Sequence, residues 1–355
     1  MQPAKSICRG SPPPVSSEPI AHGGDLAAAR RRYGERDLDA DQGWIDLSTG
    51  INPVPYPIPS FPSDAWMRLP GFRETRAYMA AASECYGASE GAILPIPGAQ
   101  SGIGALGRAL ASNAGPKVYL APTYGEYARY FPDATPVSDL FSIRRALDAG
   151  GVAIICNPNN PDGRALAAGE VLALADRAER RAGWLILDES FADIAPDITA
   201  CGRAGRGGLI VLRSFGKFYG LAGLRLGALL GPPRLLSTVE KDLGPWAVSG
   251  PALSIGRTAL LDEDWAKQAR NRIRSDARWL SDRLYRAGFR VIGRAGLFIL
   301  IQLDDARAWH VYLAKQGIWT RIFPDHPNWL RMGMPGLSPD DWRRLSSALE
   351  LADDG

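Results

Sequence analysis

Lys217 stands in Ser214-Phe215-Gly216-Lys217, directly after the apolar run Leu209–Leu212 and before the glycine-punctuated loop Gly220-Leu221-Ala222-Gly223-Leu224-Arg225-Leu226-Gly227. A lysine amine among small residues can form a Schiff base with an aldehyde when its surroundings depress its pKa. Ser214 and Arg225 can offer a hydroxyl and a guanidinium to a phosphate. Taken alone, the motif reads first as a surface lysine beside a Gly-rich turn. Asp188, at the end of Trp184-Leu185-Ile186-Leu187, is either a cap or a counter-ion for a positive partner such as a pyridinium nitrogen. Asn157-Pro158-Asn159-Asn160-Pro161-Asp162-Gly163 has turn composition, and it also offers an amide to an oxygen on a planar ligand. Gly98-Ala99-Gln100-Ser101 opens a helix, where free N–H groups make either an ordinary cap or an anion site.

Each of these features follows a short apolar run that reads as a strand buried on both faces: Ala92–Ile96, Val152–Cys156, Trp184–Leu187 and Leu209–Leu212. Helical patterns alternate with these runs, at Arg73–Tyr86, Ser101–Ser112 and Ala165–Ala182. The alternation predicts an α/β domain with a largely parallel sheet, and ligands of such sheets bind at the strands' carboxyl ends. After Pro251 the pattern changes. A long arginine-rich helix near Asp264–Ala287 precedes the strands Leu297–Leu303 and Trp329–Met332 and the helices Ala306–Gln316 and Asp340–Leu351. The expected organisation is a flexible extension over 1–19, a segment over 20–52 that packs with the small domain, a large domain over 53–250 and a small α+β domain over 251–355. Five prolines between Asn52 and Pro62 exclude a helix there.

The chain's 355 residues, 46% hydrophobic and 22% charged, suffice for a substantial core. With 41 Lys+Arg against 38 Asp+Glu, the net charge of +3 is too balanced to make nucleic acid the default partner. Cys8, Cys85, Cys156 and Cys201 are scattered, as are His22, His310 and His326, so no metal-ligand spacing is present. No apolar stretch approaches the ~20 residues that span a bilayer. The chain reads as soluble and cytoplasmic, with no membrane partner. The absence of G-x-x-x-x-G-K-[ST] excludes a P-loop.

Taken together, the order phosphate turn, Asn turn, strand-terminal Asp and Ser-x-x-Lys with a following Arg resembles the fold-type-I, aspartate-aminotransferase-like enzymes of pyridoxal 5′-phosphate. The resemblance is strong over Gly98–Gly231. It implies a large domain with a mostly parallel central sheet flanked by helices, plus a smaller α+β domain. It assigns Lys217 to the Schiff base, Asp188 to the pyridine nitrogen, Asn160 to the ring's phenolic oxygen, and Ala99, Gln100, Ser214 and Arg225 to the phosphate. Tyr124 becomes the ring-stacking aromatic, and Arg331 the grip on the substrate carboxylate. A homodimer is also implied. Phe191 stands where the family often has a Tyr that bonds the ring oxygen, and a Phe cannot donate. Leu69, before Pro70, stands where many relatives place a Tyr that reaches the neighbouring subunit's phosphate.

The opening His22-Gly23-Gly24, followed by Ile51-Asn52-Pro53, resembles the threonine-phosphate decarboxylases of cobalamin synthesis. That resemblance implies decarboxylation of O-phospho-L-threonine to (R)-1-amino-2-propanol phosphate, with a second anion site for which His22, Asn52 and Arg321 are candidates beside Arg331 and Asn160. The alternative is a histidinol-phosphate-type aminotransferase that transfers an amino group to 2-oxoglutarate.

Overall fold

The structure, a computed structural model, describes residues 23–34 and 43–350. The described residues divide into two compact units, one within Met1–Val54 and Ile273–Gly355, the other Pro55–Arg272. The sequence places the division at Pro251, whereas the structure places it inside a helix at Arg272/Ile273. The reason is packing: the helix Gly250–Leu260 lies against the helix Phe72–Tyr86 and so stays with the larger unit.

The chain runs from the helix Leu26–Tyr33, capped by the Asp25 carboxylate on Ala28 N at 2.7 Å, into the short strand β1 (Ile45–Asp46). The proline-rich crossing that follows forms neither helix nor strand, since proline supplies no N–H. Then come β2 (Ile93–Ile96), β3 (Lys117–Leu120), β4 (Thr135–Val137), β5 (Val152–Cys156), β6 (Trp184–Asp188), β7 (Leu209–Ser214) and β8 (Gly227–Leu230). These seven form one sheet in the order β2-β8-β7-β6-β5-β3-β4. Strands β4, β3, β5, β6 and β7 run parallel, and β8 is antiparallel to both of its neighbours. Every residue of β5 is buried, as continuous apolar runs in a helix-covered sheet require. The helix Ala168–Arg180 covers the sheet with Val171, Leu174, Ala175 and Ala178, the one-face spacing of an amphipathic helix.

In the other unit, β9 (Arg290–Arg294), β10 (Phe298–Gln302), β11 (Ile318–Trp319), β12 (Arg321–Phe323) and β13 (His326–Gly333) complete the strands. β12-β13-β10-β9 is an antiparallel sheet, and β1 pairs in parallel with β11. The hydrophobic face of this sheet packs on Leu280, Leu284, Leu313 and Leu345 around Ile299, Ile301 and Leu330. The sequence pattern missed β4, β8, β9, β11 and β12. β4, β9 and β12 are short strands with exposed or half-buried residues, which lack the apolar run that marks a buried strand. β8 is buried throughout but directly follows a glycine-punctuated loop, and β11 is only two residues long.

Candidate active site

At the carboxyl ends of β5, β6 and β7 the larger unit encloses a cavity of about 300 Å³. Its lining brings together Ala99, Gln100, Tyr124, Asn160, Asp188, Ser214, Lys217 and Arg225. These residues are spread over more than a hundred positions of sequence, and the parallel topology gathers them because successive parallel strands end on the same edge.

The anion end is built on the helix Ala99–Ala109, whose first turn has N–H groups without intrahelical partners. Gly98 precedes it with φ +82°, a conformation that L side chains rarely adopt, and a β-carbon there would meet the Arg225 guanidinium at 2.8 Å. The helix can lie this close to the sheet because Gly102 has no side chain, and an added β-carbon would touch Ile96 and Leu212 within 2.8 Å. Arg225 itself takes a left-handed turn (φ +54°) and anchors through Nη1 to Ala222 O at 3.2 Å. Helix N–H groups, the Ser214 hydroxyl and a guanidinium form a donor set suited to a phosphate.

Asp188 closes the opposite side and is buried. Its Oδ1 accepts from Ser190 N at 2.9 Å and Ser190 Oγ at 2.5 Å, and its Oδ2 accepts from Tyr127 Oη at 2.7 Å. Burial, then the Asp188 charge, pushes the Tyr127 hydroxyl well above the usual phenol range, so it remains a donor. The Cys156 thiol, also in the lining, is raised by burial and by Asp188, and it donates to Pro158 O at 3.3 Å.

Of the asparagines in the turn, two serve the loop itself. Asn157 closes a pair of bonds with Leu166 (2.8 and 3.1 Å), and Asn159 donates to Pro122 O at 2.8 Å and to Asp162 at 2.7 Å. Asn160 is the one that lines the cavity. Gln100 differs from its expected use. Its Oε1 accepts from Tyr124 Oη at 2.8 Å and its Nε2 donates to Glu126 at 2.8 Å, so the side chain braces the tyrosine while the backbone remains at the anion end. The Tyr124 ring meets Tyr127 edge-on at 5.7 Å. Lys217 Nζ lies 5.7 Å from the centroid of the Phe191 ring, a cation–π distance.

The remaining candidates belong to the other unit, except His22, which lies outside the described residues. Asn52 is buried and accepts from Val54 N at 3.1 Å. Arg331 and Arg321 are directly opposite each other on β13 and β12. Arg331 is buried over the Phe298 ring (4.9 Å) and the Phe323 ring (5.9 Å), with Nη2 donating to Ser48 O at 3.1 Å. Burial and then Arg321 push its guanidinium down to about 9.

Sequence reasoning missed Tyr127, Ser190 and a buried ion group behind the site. In that group Arg213 Nη1 bonds Glu189 at 2.8 Å and Arg213 Nη2 bonds Asp193. The available signal was spacing: Tyr127 lies one helical turn after Tyr124, and Ser190 two residues after Asp188, the reach of an Asx turn. Among the described residues no cluster of His, Cys, Asp and Glu could hold a metal, and no helix is long and apolar enough to cross a membrane.

A sequence profile of the aminotransferase class I and II family matches residues 66–349. This chain belongs to that family. It is an enzyme family dependent on pyridoxal 5′-phosphate, and the cavity's anion end, buried carboxylate and lysine fit that molecule's phosphate, ring nitrogen and aldehyde. A threonine-phosphate decarboxylase of Sinorhizobium sp is 43% identical over 94% of this chain and 98% of its own length. One from Pseudomonas aeruginosa is 40% identical over 93% and 97%. Among solved structures, a histidinol-phosphate aminotransferase from Sinorhizobium meliloti in complex with pyridoxal-5′-phosphate superposes with a TM-score of 0.78 at 20% identity, covering 92% of this chain and 94% of that one. At that identity the likeness is one of fold.

Proposed function

We propose that the protein decarboxylates O-phospho-L-threonine to (R)-1-amino-2-propanol phosphate, a step of cobalamin synthesis. The observation that carries the reaction type is the pair of nearly full-length relatives, at 43% and 40% identity, both named threonine-phosphate decarboxylase. The aminotransferase above shares the fold at lower identity, and fold alone does not choose a reaction.

In this reading Ala99 and Gln100 N–H, Ser214 and Arg225 hold the cofactor phosphate. Asp188 faces the ring nitrogen, Asn160 the phenolic oxygen and Tyr124 the ring face. When bound there, pyridoxal 5′-phosphate supplies an electron sink for the bond broken at the substrate's Cα. Lys217 would hold the cofactor through its amine, and its Nζ would carry the proton that takes the place of the lost carboxylate on the substrate's Cα. Arg331 grips the substrate carboxylate, and Asn52, Arg321 and His22 are assigned to the substrate phosphate. Phe191 offers no donor, which leaves Asn160 as the protein's donor to the ring oxygen.

The protein is also proposed to act as a cytoplasmic homodimer. Trp66, Met67, Leu69, Phe72 and Trp246, all more than half exposed, lie in the larger unit, and solvent-facing apolar groups of this size suit a protein interface. Cys85, Cys156 and Cys201 are free thiols, as a reducing compartment keeps them.

The test is incubation of the purified protein with O-phospho-L-threonine, following CO₂ release without an amino acceptor. Histidinol phosphate with 2-oxoglutarate runs in parallel. Amino transfer to 2-oxoglutarate with phosphothreonine inert would overturn the proposal. Light scattering reports the oligomeric state in the same preparation.

A further inference from the structure

Asp188 is held from both of its oxygens, and the two holds differ in origin. Oδ1 takes two bonds from Ser190, local to its own turn. Oδ2 takes its bond from Tyr127, which stands sixty-one positions earlier in the chain on the short helix Glu126–Tyr130. Tyr127 is fully buried against Ile186 and Cys156, and its ring is fixed edge-on to Tyr124. Nothing in the packing requires a hydroxyl at that place, because phenylalanine would fill the same apolar volume. The hydroxyl instead meets two polar groups, donating to the Asp188 carboxylate at 2.7 Å and lying beside the Cys156 thiol.

We propose that Tyr127 is a positioning residue for the reaction: its Oη holds Asp188 Oδ2 and sets how strongly the carboxylate pairs with the cofactor's ring nitrogen. The inference rests on the reading that Asp188 faces that nitrogen. A carboxylate has about four acceptor sites, and Ser190 and Tyr127 occupy three of them in the structure. The carboxylate cannot rotate to share charge elsewhere, so its remaining acceptor direction is fixed towards the cavity it lines. Through the same ring, Tyr127 links the carboxylate to Tyr124 at the other wall.

The experiment compares the holoenzyme with Tyr127→Phe, Asp188→Asn and the double variant. It reads kcat and KM for O-phospho-L-threonine and the pH midpoint of the visible absorption of the lysine-bound cofactor. A hydrogen bond to a charged group is worth about ten- to a hundredfold. Tyr127→Phe is therefore expected to lower kcat by about that factor with KM nearly unchanged, and to move the absorption midpoint. In the Asp188→Asn background it should add less than about twofold, because its route runs through the carboxylate. Ser190→Ala, which keeps the backbone donor to Oδ1, should give the same signature more weakly and serves if Tyr127→Phe folds poorly. A Tyr127→Phe enzyme with unchanged kcat and midpoint, or one with its full effect still present beside Asp188→Asn, overturns the proposal. An Asp188→Asn enzyme with an unmoved midpoint overturns instead the placement of Asp188 at the ring nitrogen.

Discussion

Gly98 and Arg225 face each other so closely that a β-carbon on the glycine would stand 2.8 Å from Arg225 Nη2. The pair frames the anion end of the cavity, and the space between them is set by the missing side chain. Gly98→Ala is expected to weaken pyridoxal 5′-phosphate binding at least about tenfold, since the methyl group displaces a charge-assisted donor. It also strains a backbone at φ +82° by about 1–3 kcal/mol. Arg225→Ala, which carries no such strain, separates the two effects. Titration of the apoprotein with the cofactor measures both, and wild-type affinity in both variants would refute the phosphate assignment.

Lys217→Ala is expected to abolish turnover while leaving a cavity that still binds the cofactor without a covalent link. Borohydride reduction of the wild-type holoenzyme, followed by peptide mapping, should place the adduct on Lys217. An adduct on any other lysine rejects the assignment.

Gln100→Leu removes the acceptor of the Tyr124 hydroxyl and the donor to Glu126 together. One neutral hydrogen bond contributes about 0.5–1.5 kcal/mol, so cofactor affinity should fall by about two- to tenfold, with a weaker visible circular dichroism band as Tyr124 loses its fixed orientation. A much larger loss would instead place the Gln100 side chain on the phosphate.

Arg331→Ala should raise KM for O-phospho-L-threonine by about ten- to a hundredfold, the worth of a charge-assisted contact to a carboxylate. 1-Amino-2-propanol phosphate, which lacks the carboxylate, should inhibit wild type and variant alike. Equal loss for both molecules would show that the arginine supports the fold.

His310 is buried against Trp319, with Nδ1 2.9 Å from Thr320 Oγ1. Burial, then the charges of Arg32, Arg307 and Arg321, lowers its pKa to about 4 from 6.5. The native state thus refuses a proton that the unfolded chain accepts, and the stability present above pH 6.5 drains away as pH falls towards 4. The loss amounts to about 3 kcal/mol over that window. Urea unfolding of wild type and His310→Gln at pH 7 and pH 4.5 checks it. The variant should show a smaller drop than the wild type.

Much of the larger unit was legible because its strands announce themselves. Val152–Cys156 and Trp184–Leu187 are short, apolar and bounded by turn residues, and the residues just beyond them are the ones that reach the cavity. Side-chain pairings across the fold were not legible. Gln100 was assigned by its place in a motif, yet its amide partners are Tyr124 and Glu126, fixed by how one helix start meets the following loop. Tyr127 was invisible for the same reason, since its partner lies on β6. The division of units escaped the pattern at Pro251 because it depends on which neighbour a helix packs against, and composition does not record that.

The ion group formed by Arg213, Glu189 and Asp193 has a consequence for cofactor loading. Glu189 directly follows Asp188 and Arg213 directly precedes Ser214, so their 2.8 Å contact joins the ends of β6 and β7 on the reverse side of those two site residues. Thr199 Oγ1 and Ala200 N add bonds of 2.5 and 2.7 Å to Glu189, and Arg270 donates to Asp193 O at 2.7 Å. Breaking such a buried pair costs about 3–5 kcal/mol, so the two strand ends do not fray separately. The apoprotein therefore presents Asp188 and Ser214 already in place, and an arriving cofactor has little chain ordering to impose. Deuterium uptake at the amides of Leu187–Glu189 and Leu212–Ser214 should be slow before the cofactor binds and change little after it, with the protection gained on loading confined to the glycine-rich loop around Arg225.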